Sequence, residues 1–128
     1  MKVLLVKPRF ENVFTKLSVV VTEPLELEYM VAICDRNNVT SEICDMTLKK
    51  YNVTKSVKKF KPDIVAITAN FVHIEVIKKY TKQIKKINSN IKIIVGGPHA
   101  EVKPEDFCFD GIDIVSYSGR IQTIRNYY

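Results

Sequence analysis

No stretch of this chain stays apolar for the ~20 residues that a membrane span requires. Met1 leads almost at once into a strand-like run, with no charged and then apolar leader before it, so a cytoplasmic protein without a secretory signal is expected. Cysteine is scarce: Cys34, Cys44 and Cys108 are widely spaced, odd in number and form no C-x-x-C. They read as buried free thiols in a reducing compartment, which excludes a disulfide frame and a cysteine metal site. Aromatics do not alternate with the basic residues, as a stacking platform for single-stranded nucleic acid would demand. The net charge of +6, from 20 Lys and Arg against 14 Asp and Glu, comes mostly from lysines at helical spacing. Lys49, Lys50, Lys55, Lys58, Lys59 and Lys61, then Lys78, Lys79, Lys82, Lys85 and Lys86, have the pattern of solvated helix faces. Neither nucleic acid nor a membrane is expected as a partner.

What is present is a regular alternation. A chain of 128 residues, 46% hydrophobic and 27% charged, fits one soluble domain, 1–128, with a real core. Lys2 to Val6 is a continuous apolar strand, suited to the centre of a parallel sheet. The connection after it, Glu11 to Thr22, lacks helical periodicity and is long enough to read as a lid, with Leu17 to Val21 as a short extended piece. Pro24 suits a first helical turn, and Leu27, Met30, Val31 and Cys34 follow at helical steps. Thr40 to Cys44 is a shorter, less apolar strand nearer an edge; Val53, Val57 and Phe60 mark a helix that stops before Pro62. Ile64 to Thr68 is a third strand, and Ile77, Tyr80, Ile84 and Ile87 are the buried stripe of the clearest helix. A fourth strand runs from Ile91 to Val95. Lys103 to Phe107 reads as a short helical turn, Ile112 to Tyr117 as a fifth strand, and Ile121 with Ile124 hints at a last, truncated helix.

Strands alternating with helices predict a three-layer, flavodoxin-like (Rossmann-like) α/β fold. The expected sheet is five-stranded and parallel, in order 2-1-3-4-5, with helices on both faces. Ligands of such sheets sit outside the carboxyl ends of the strands. Four loops would line that edge: Lys7, Pro8, Arg9 and Phe10; Thr68, Asn70 and Phe71; Gly96, Gly97, Pro98 and His99; and Ser116, Tyr117, Ser118 and Gly119. The third carries the strongest signal, because two adjacent glycines leave main chain bare for a flat or bulky ligand. A side chain at Gly97 would then occupy the ligand's contact surface while leaving the fold intact.

Several ligand classes fail at this edge. Lys7-Pro8-Arg9-Phe10 stands where a dinucleotide site needs G-x-G-x-x-G, and the nucleoside-triphosphate loop G-x-x-x-x-G-K-[ST] is missing. Lys7 and Thr68 end the strands where a phosphoacceptor domain needs carboxylates for a hard cation. A large flat ligand bordered by hydroxyl and amide groups fits best. Asp45 and Asp63 each have a plain role at a strand end, His73 reads as structural or exposed, and no catalytic residue or protein metal ligand is assigned.

The run KVLLVKP, Pro24 to Met30, Pro62-Asp63-Ile64-Val65-Ala66-Ile67-Thr68, Ile94 to Ala100 with its Gly96-Gly97-Pro98-His99, Pro104-Glu105 and Gly111 to Val115 together resemble a known family. It is the cobalamin-binding domain found at the amino terminus of cobalamin-dependent radical S-adenosylmethionine enzymes. The resemblance implies a corrinoid across the carboxyl edge, its nucleotide tail threading between sheet and helices. Thr68 and Asn70 would take the tail-contacting place, Gly96 and Gly97 would admit tail or ring to the backbone, and Pro8 to Phe10 would face the lower side of the corrin. His99 has two readings, a contact to the corrin edge or a loop histidine capping nearby backbone. The methionine-synthase type of corrinoid domain has D-x-H-x-x-G after its first strand; its absence here implies cobalamin held without a protein histidine as lower ligand. The radical-enzyme branch usually has a Gly-Glu-Gly-Glu-like run after the fifth strand, where this chain has Ser116-Tyr117-Ser118-Gly119-Arg120.

The C-x-x-x-C-x-x-C run of an iron–sulfur radical barrel is also missing, so the chain is not expected to be an enzyme by itself. The implied function is a cobalamin-binding module, a fragment of or partner to a radical S-adenosylmethionine protein that performs methyl transfer. The alternatives are a degenerate α/β interaction module that no longer binds corrinoid, and a flavin-binding electron carrier.

Overall fold

The computed structural model describes residues 1–9, 25–70, 73–117 and 120–123. The predicted lid and its extended piece, Pro24, Phe10, Phe71, Ser118, Gly119 and Ile124 lie outside the described residues.

Strand β1 (Lys2–Lys7) is central because it is apolar on both sides. Leu4 and Val6 join one core and Val3 and Leu5 the other. It pairs in parallel with β2 (Thr40–Asp45) on one flank and β3 (Ile64–Thr68) on the other. Strand β4 (Lys92–Gly96) follows β3, and β5 (Ile114–Tyr117) follows β4, both parallel, so the five parallel strands run 2-1-3-4-5 as the pattern required. The expected truncated helix is corrected. The backbone of β6 (Arg120–Thr123) instead pairs antiparallel with β5 and adds a sixth strand to the edge. Ile121 is thus in a strand, where it lies opposite Ser116; three apolar or polar steps after a glycine satisfy a hairpin partner as readily as a helical turn.

Helix α1 (Leu25–Arg36) covers one face, Leu27 burying against Val3 and Leu5 with Val31, Ile43, Ile64 and Ala66 around them. The other face is thicker. Helix α2 (Val53–Phe60) turns Val53, Val57 and Phe60 inward, and α3 (Ile74–Ile87) adds Val76, Ile77, Tyr80 and Ile84. Asn52 caps α2 by accepting from the Lys55 N–H, and Lys61 ends it in the left-handed conformation, φ 52°, immediately before Pro62. Lys55, Lys58, Lys59, Lys79, Lys82 and Lys86 are exposed, as the spacing predicted; Lys85 departs from it, turning to the amino edge of the sheet with 21% of its side chain exposed, because Asp113 and the Ile91 carbonyl accept from its ammonium there. Of the three free thiols only Cys44 is fully buried; Cys34 and Cys108 are half-buried, a correction that follows from their places at the rim of α1 and in a turn.

The amino edge of the sheet is held by two aspartates. Asp63 accepts from the Lys2 N–H at 2.8 Å, while its own N–H donates to the Lys2 carbonyl and its carbonyl accepts from the Lys92 N–H. Asp113 accepts from the Lys85 ammonium at 2.8 Å and from the Ile93 N–H at 2.9 Å. Burial alone would raise the Asp113 pKa, but the Lys85 and Ile93 hydrogen bonds and the charges of Lys85 and Lys92 outweigh it and hold the carboxyl below its ordinary value.

Asp113→Asn should therefore destabilise the protein by about 1–3 kcal/mol at neutral pH, read from urea midpoints. A carboxyl with a lowered folded pKa contributes stability above its ordinary value of 3.8 and loses it as pH falls through the lowered one. The gap between wild type and variant should accordingly hold down to about pH 4 and close below it. A gap indifferent to acid would show that the carboxylate charge is not what joins α3 to β4 and β5.

Candidate functional site

In the order 2-1-3-4-5 the connection leaving β1 turns to the α1 face and the one leaving β3 to the α3 face, which puts the switch point at the carboxyl ends of β1 and β3. Pro8 is buried and Arg9 exposed just beyond β1. Thr68 pairs in register with Gly96, so both point to the α1 face. Ser116 joins them there: a Cβ built on Gly96 would lie 3.7 Å from the Ser116 Cβ and 3.8 Å from its carbonyl oxygen, with no closer neighbour among the described residues. Gly96 thus leaves a strip of bare main chain between a threonine and a serine hydroxyl, a cradle that a side chain would fill without striking backbone. Tyr117, one residue on, packs against the thicker core on the opposite face and does not join this group.

Gly97 behaves differently, and the sequence expectation for it is corrected. Its φ is +104°, and a Cβ there would lie 2.7 Å from the Thr68 Oγ1 and 2.8 Å from the Ala69 nitrogen. The bare main chain at Gly97 is therefore consumed by the protein itself. The exits of β3 and β4 cross at this point, stitched by the Ala69 N–H to the Gly96 carbonyl at 2.8 Å and by the His99 N–H to the Ala69 carbonyl at 3.1 Å. A side chain at Gly97 would disturb the fold before it met a ligand.

Pro98 opens a short helix that the sequence pattern did not suggest, α4 (Pro98–Val102), which positions His99. The Nε2 of His99 lies 2.7 Å from the Asp106 carboxylate, and its ring meets Phe107 edge-on. His99 is thus a clamp between α4 and the 3-10 turn Pro104–Phe107. That hydrogen bond, aided by Lys103, keeps the Asp106 carboxyl below its ordinary range.

His73 belongs to the edge more than the sequence suggested. It is buried, and its Nδ1 accepts from the Asn70 N–H at 3.1 Å while its own N–H donates to the Asn70 carbonyl. Burial first, and the nearby Lys7 ammonium second, hold its pKa below the ordinary imidazole value, which keeps Nδ1 free to accept. The Asn-x-x-His spacing of Asn70 and His73 was the available signal for this turn. Asn70 itself is exposed. Asp45 has the plain role expected, accepting from the N–H and hydroxyl of Thr47 as the chain leaves β2. A further residue reaches the crevice from α1: Glu26 accepts from the Thr68 hydroxyl at 3.2 Å. Forty-two positions separate the two, so no local pattern announced the contact. Among the described residues no group of three or more His, Cys, Asp and Glu is placed to hold a metal ion, and no helix is long and apolar enough to cross a membrane.

Fold and edge together define a doubly wound α/β domain with its switch point at the carboxyl ends of β1 and β3. A family model, the B12 binding domain, matches residues 13–121, and the chain belongs to that family. An uncharacterised methyltransferase of Pyrococcus horikoshii is 33% identical over 107 residues, covering 82% of this chain and 23% of the relative. The chain therefore corresponds to less than a quarter of that protein's length. No solved structure matches. Membership of a B12-binding family supports corrinoid binding, and the Gly96 cradle is a structural feature that fits such a ligand.

The two glycines should separate cleanly in a stability measurement. Gly97→Ala forces a Cβ onto Thr68 and Ala69 at a positive φ and should cost about 1–3 kcal/mol. Gly96→Ala should stay within about 1 kcal/mol of wild type. Equal urea midpoints for the two variants would contradict the crossing of the β3 and β4 exits at Gly97.

Proposed function

We infer that this chain is a cobalamin-binding module that positions a corrinoid for methyl transfer performed by catalytic machinery outside it, of the radical S-adenosylmethionine type. The carrying observation is the open strip at Gly96, flanked by Thr68 and Ser116 on the α1 face of the carboxyl edge. When bound, the corrinoid supplies a cobalt centre able to carry a methyl group. Residues of this chain then orient and shield it: Thr68 and Asn70 beside the tail, Gly96 beneath the ring or tail, and Pro8 and Arg9 toward the lower side of the corrin. Phe10, Phe71, Ser118 and Gly119 belong in sequence to the same four segments.

The protein supplies no imidazole as lower ligand in this reading. His99 gives its Nε2 to Asp106, and His73 is buried with its Nδ1 on the Asn70 N–H, so each ring serves the loop that holds it. The methyltransferase relative, most of whose length lies outside the match, supports a catalytic partner. The radical S-adenosylmethionine type rests on the resemblance of the motifs, and residence in the cytoplasm belongs to the same proposal.

A second reading is favoured by α1. Leu25, Tyr29 and Ile33 recur at four-residue steps and are all exposed, with Met30 beside them. Such a stripe suits docking, so a module that retains the fold and works by protein contact alone is the competitor.

The experiment is to mix the protein with hydroxocobalamin, desalt it and record the visible spectrum. Retained corrin absorbance of base-off shape is expected; complete loss of colour transfers the function to docking. Gly96→Ala should weaken retention of the colour while keeping a near-wild-type melting temperature, because its Cβ occupies the strip and meets Ser116 only at ordinary contact distance. Undiminished colour in that variant would place the ligand elsewhere.

A further inference from the structure

Helix α1 is apolar on two sides. Leu27 and Val31 face its own sheet, whereas Leu25, Tyr29 and Ile33 form an outer row and are 64%, 71% and 45% exposed. A helix that is apolar all round belongs in an interior. Beside α1 the sheet is bare: among the described residues α1 is the only helix on this face, and it lies over β1 and β2. Ala66, Ile94 and Ile114 stand in register across β3, β4 and β5 and point to that face. All three are half-buried, and Ile94 and Ile114 belong to neither core, while Val65, Ile93, Val95 and Val115 on the opposite face are fully buried. The opening is about 10 Å wide, from β3 to β5, and five-residue strands make it about 17 Å long. A helix of 12 residues is ~18 Å long and ~10 Å across, so the opening has the dimensions of α1 itself.

We propose that this chain forms a two-fold dimer in which the α1 of each copy lies on the open β3–β5 surface of the other, with Leu25, Tyr29 and Ile33 over the row of Ala66, Ile94 and Ile114. An axis parallel to the strands sets the two α1 helices side by side between the two sheets, so one operation fills both openings and covers both outer rows. Charge favours a second copy at this face. The chain carries +6, mostly on lysines of α2 and α3, but α1 has no lysine and sets Glu26, Glu28 and Asp35 against Arg36. Two copies meet here without the lysine repulsion that a contact through α2 or α3 brings. Helix α1 runs from the carboxyl edge, where Glu26 meets Thr68, to the amino edge, where the chain enters β2. The partner's helix runs the same way about this axis and brings the partner's Asp35 and its negative C-terminal end toward Lys92, which shares a face with Ile64 and is 57% exposed. Its first turn comes level with Thr68, Gly96 and Ser116. Gly96 has no side chain to meet that turn, so the bare strip becomes a slot floored by one copy and roofed by the other. Two helix-on-sheet contacts approach the ~1,600 Å² of a standard interface, which sets a dissociation constant on the order of micromolar.

The test is sedimentation velocity on the intact chain, without cofactor, over a concentration series. Wild type should pass from monomer to dimer, twice the 14.7 kDa of one chain. Tyr29→Lys interrupts the outer row and Ile94→Glu charges the surface it covers; each should weaken the dimer at least about hundredfold, because each change acts twice in a two-fold assembly. Melting temperatures establish that the variants fold. Ile114→Thr, a milder change on the same row, should weaken the dimer about tenfold and stands in where Ile94→Glu does not fold. An equal mixture of Tyr29→Lys and Ile94→Glu should regain dimer, since the mixed pair sets the introduced ammonium on the introduced carboxylate at one contact and leaves the other as in wild type. Wild type that stays monomeric throughout would overturn the proposal and leave this face to a different protein. Dimers that survive the change at Ile94 or Ile114, or folded variants that stay monomeric when mixed, would overturn the reciprocal helix-on-sheet contact. No corrinoid is present, so each outcome is independent of the corrinoid reading, which its own spectrum decides.

Discussion

The exit of β4 can pass over the end of β3 only where it has no side chain, and that constraint organises the functional edge. Gly97 at φ +104° brings its backbone against Thr68 and Ala69 closely enough that a Cβ would have nowhere to go. The approach lets the Ala69 N–H reach the Gly96 carbonyl and the His99 N–H reach the Ala69 carbonyl. From there α4 begins at once, and His99 is carried to Asp106 and Phe107. Hydrogen bonds between exits tie parallel strands beyond the end of their ladder, where each would otherwise leave polar groups to water or to a ligand. The crossing thus fixes Thr68 and Gly96 side by side on one face, which is the arrangement the site requires.

The opposite edge is held by charge rather than by close approach. Asp63, given a plain strand-end role from the sequence, and Asp113, not singled out there, each accept from a backbone N–H at the start of a neighbouring strand. Asp113 also draws Lys85 from α3, which in turn donates to the Ile91 carbonyl, so one ion pair links a helix to two strands. Acidic groups that resemble catalysts are thereby placed at the end of the sheet away from the ligand crevice. The motif pieces Pro62-Asp63 and Gly111 to Asp113 report how the sheet is built, whereas Thr68 and Gly96 lie at the opposite, carboxyl edge.

Much of the fold could be read from the chain because its signals are local and periodic. Apolar runs marked the five parallel strands, three-and-four spacing marked α2 and α3, and the edge position of β2 followed from its weaker hydrophobicity. The hairpin partner β6 was not legible, since a strand of four residues carries too few positions to distinguish its period from a helical turn. At the site, the four loops were found by topology, but their division of labour was hidden. Gly96 and Gly97 are identical in sequence and differ only in backbone angle and in what crosses above them. His99 was visible as a loop histidine, but its partner Asp106 lies seven residues on, beyond a turn. Glu26 was quoted only as part of a helix start, because its contact depends on the packing of α1 against the end of β3.

The separation of these roles has a consequence for how such an edge can change. Gly97, Ala69, His99, Asp106 and the Asn70–His73 turn are bound to one another, so altering any of them disturbs the loops that define the crevice. Gly96 and Glu26 tolerate change in their side chains: the Gly96 carbonyl is held by the Ala69 N–H, but a Cβ there meets ordinary contact distances among the described residues, and Glu26 is an exposed helical residue that joins the edge through the Thr68 hydroxyl. Substitution at these two positions can reshape or recharge the ligand surface at little cost to the sheet. In the module proposed above, selectivity for the cofactor is the property most open to such change. The fold therefore protects the position of the edge while leaving its preference adjustable.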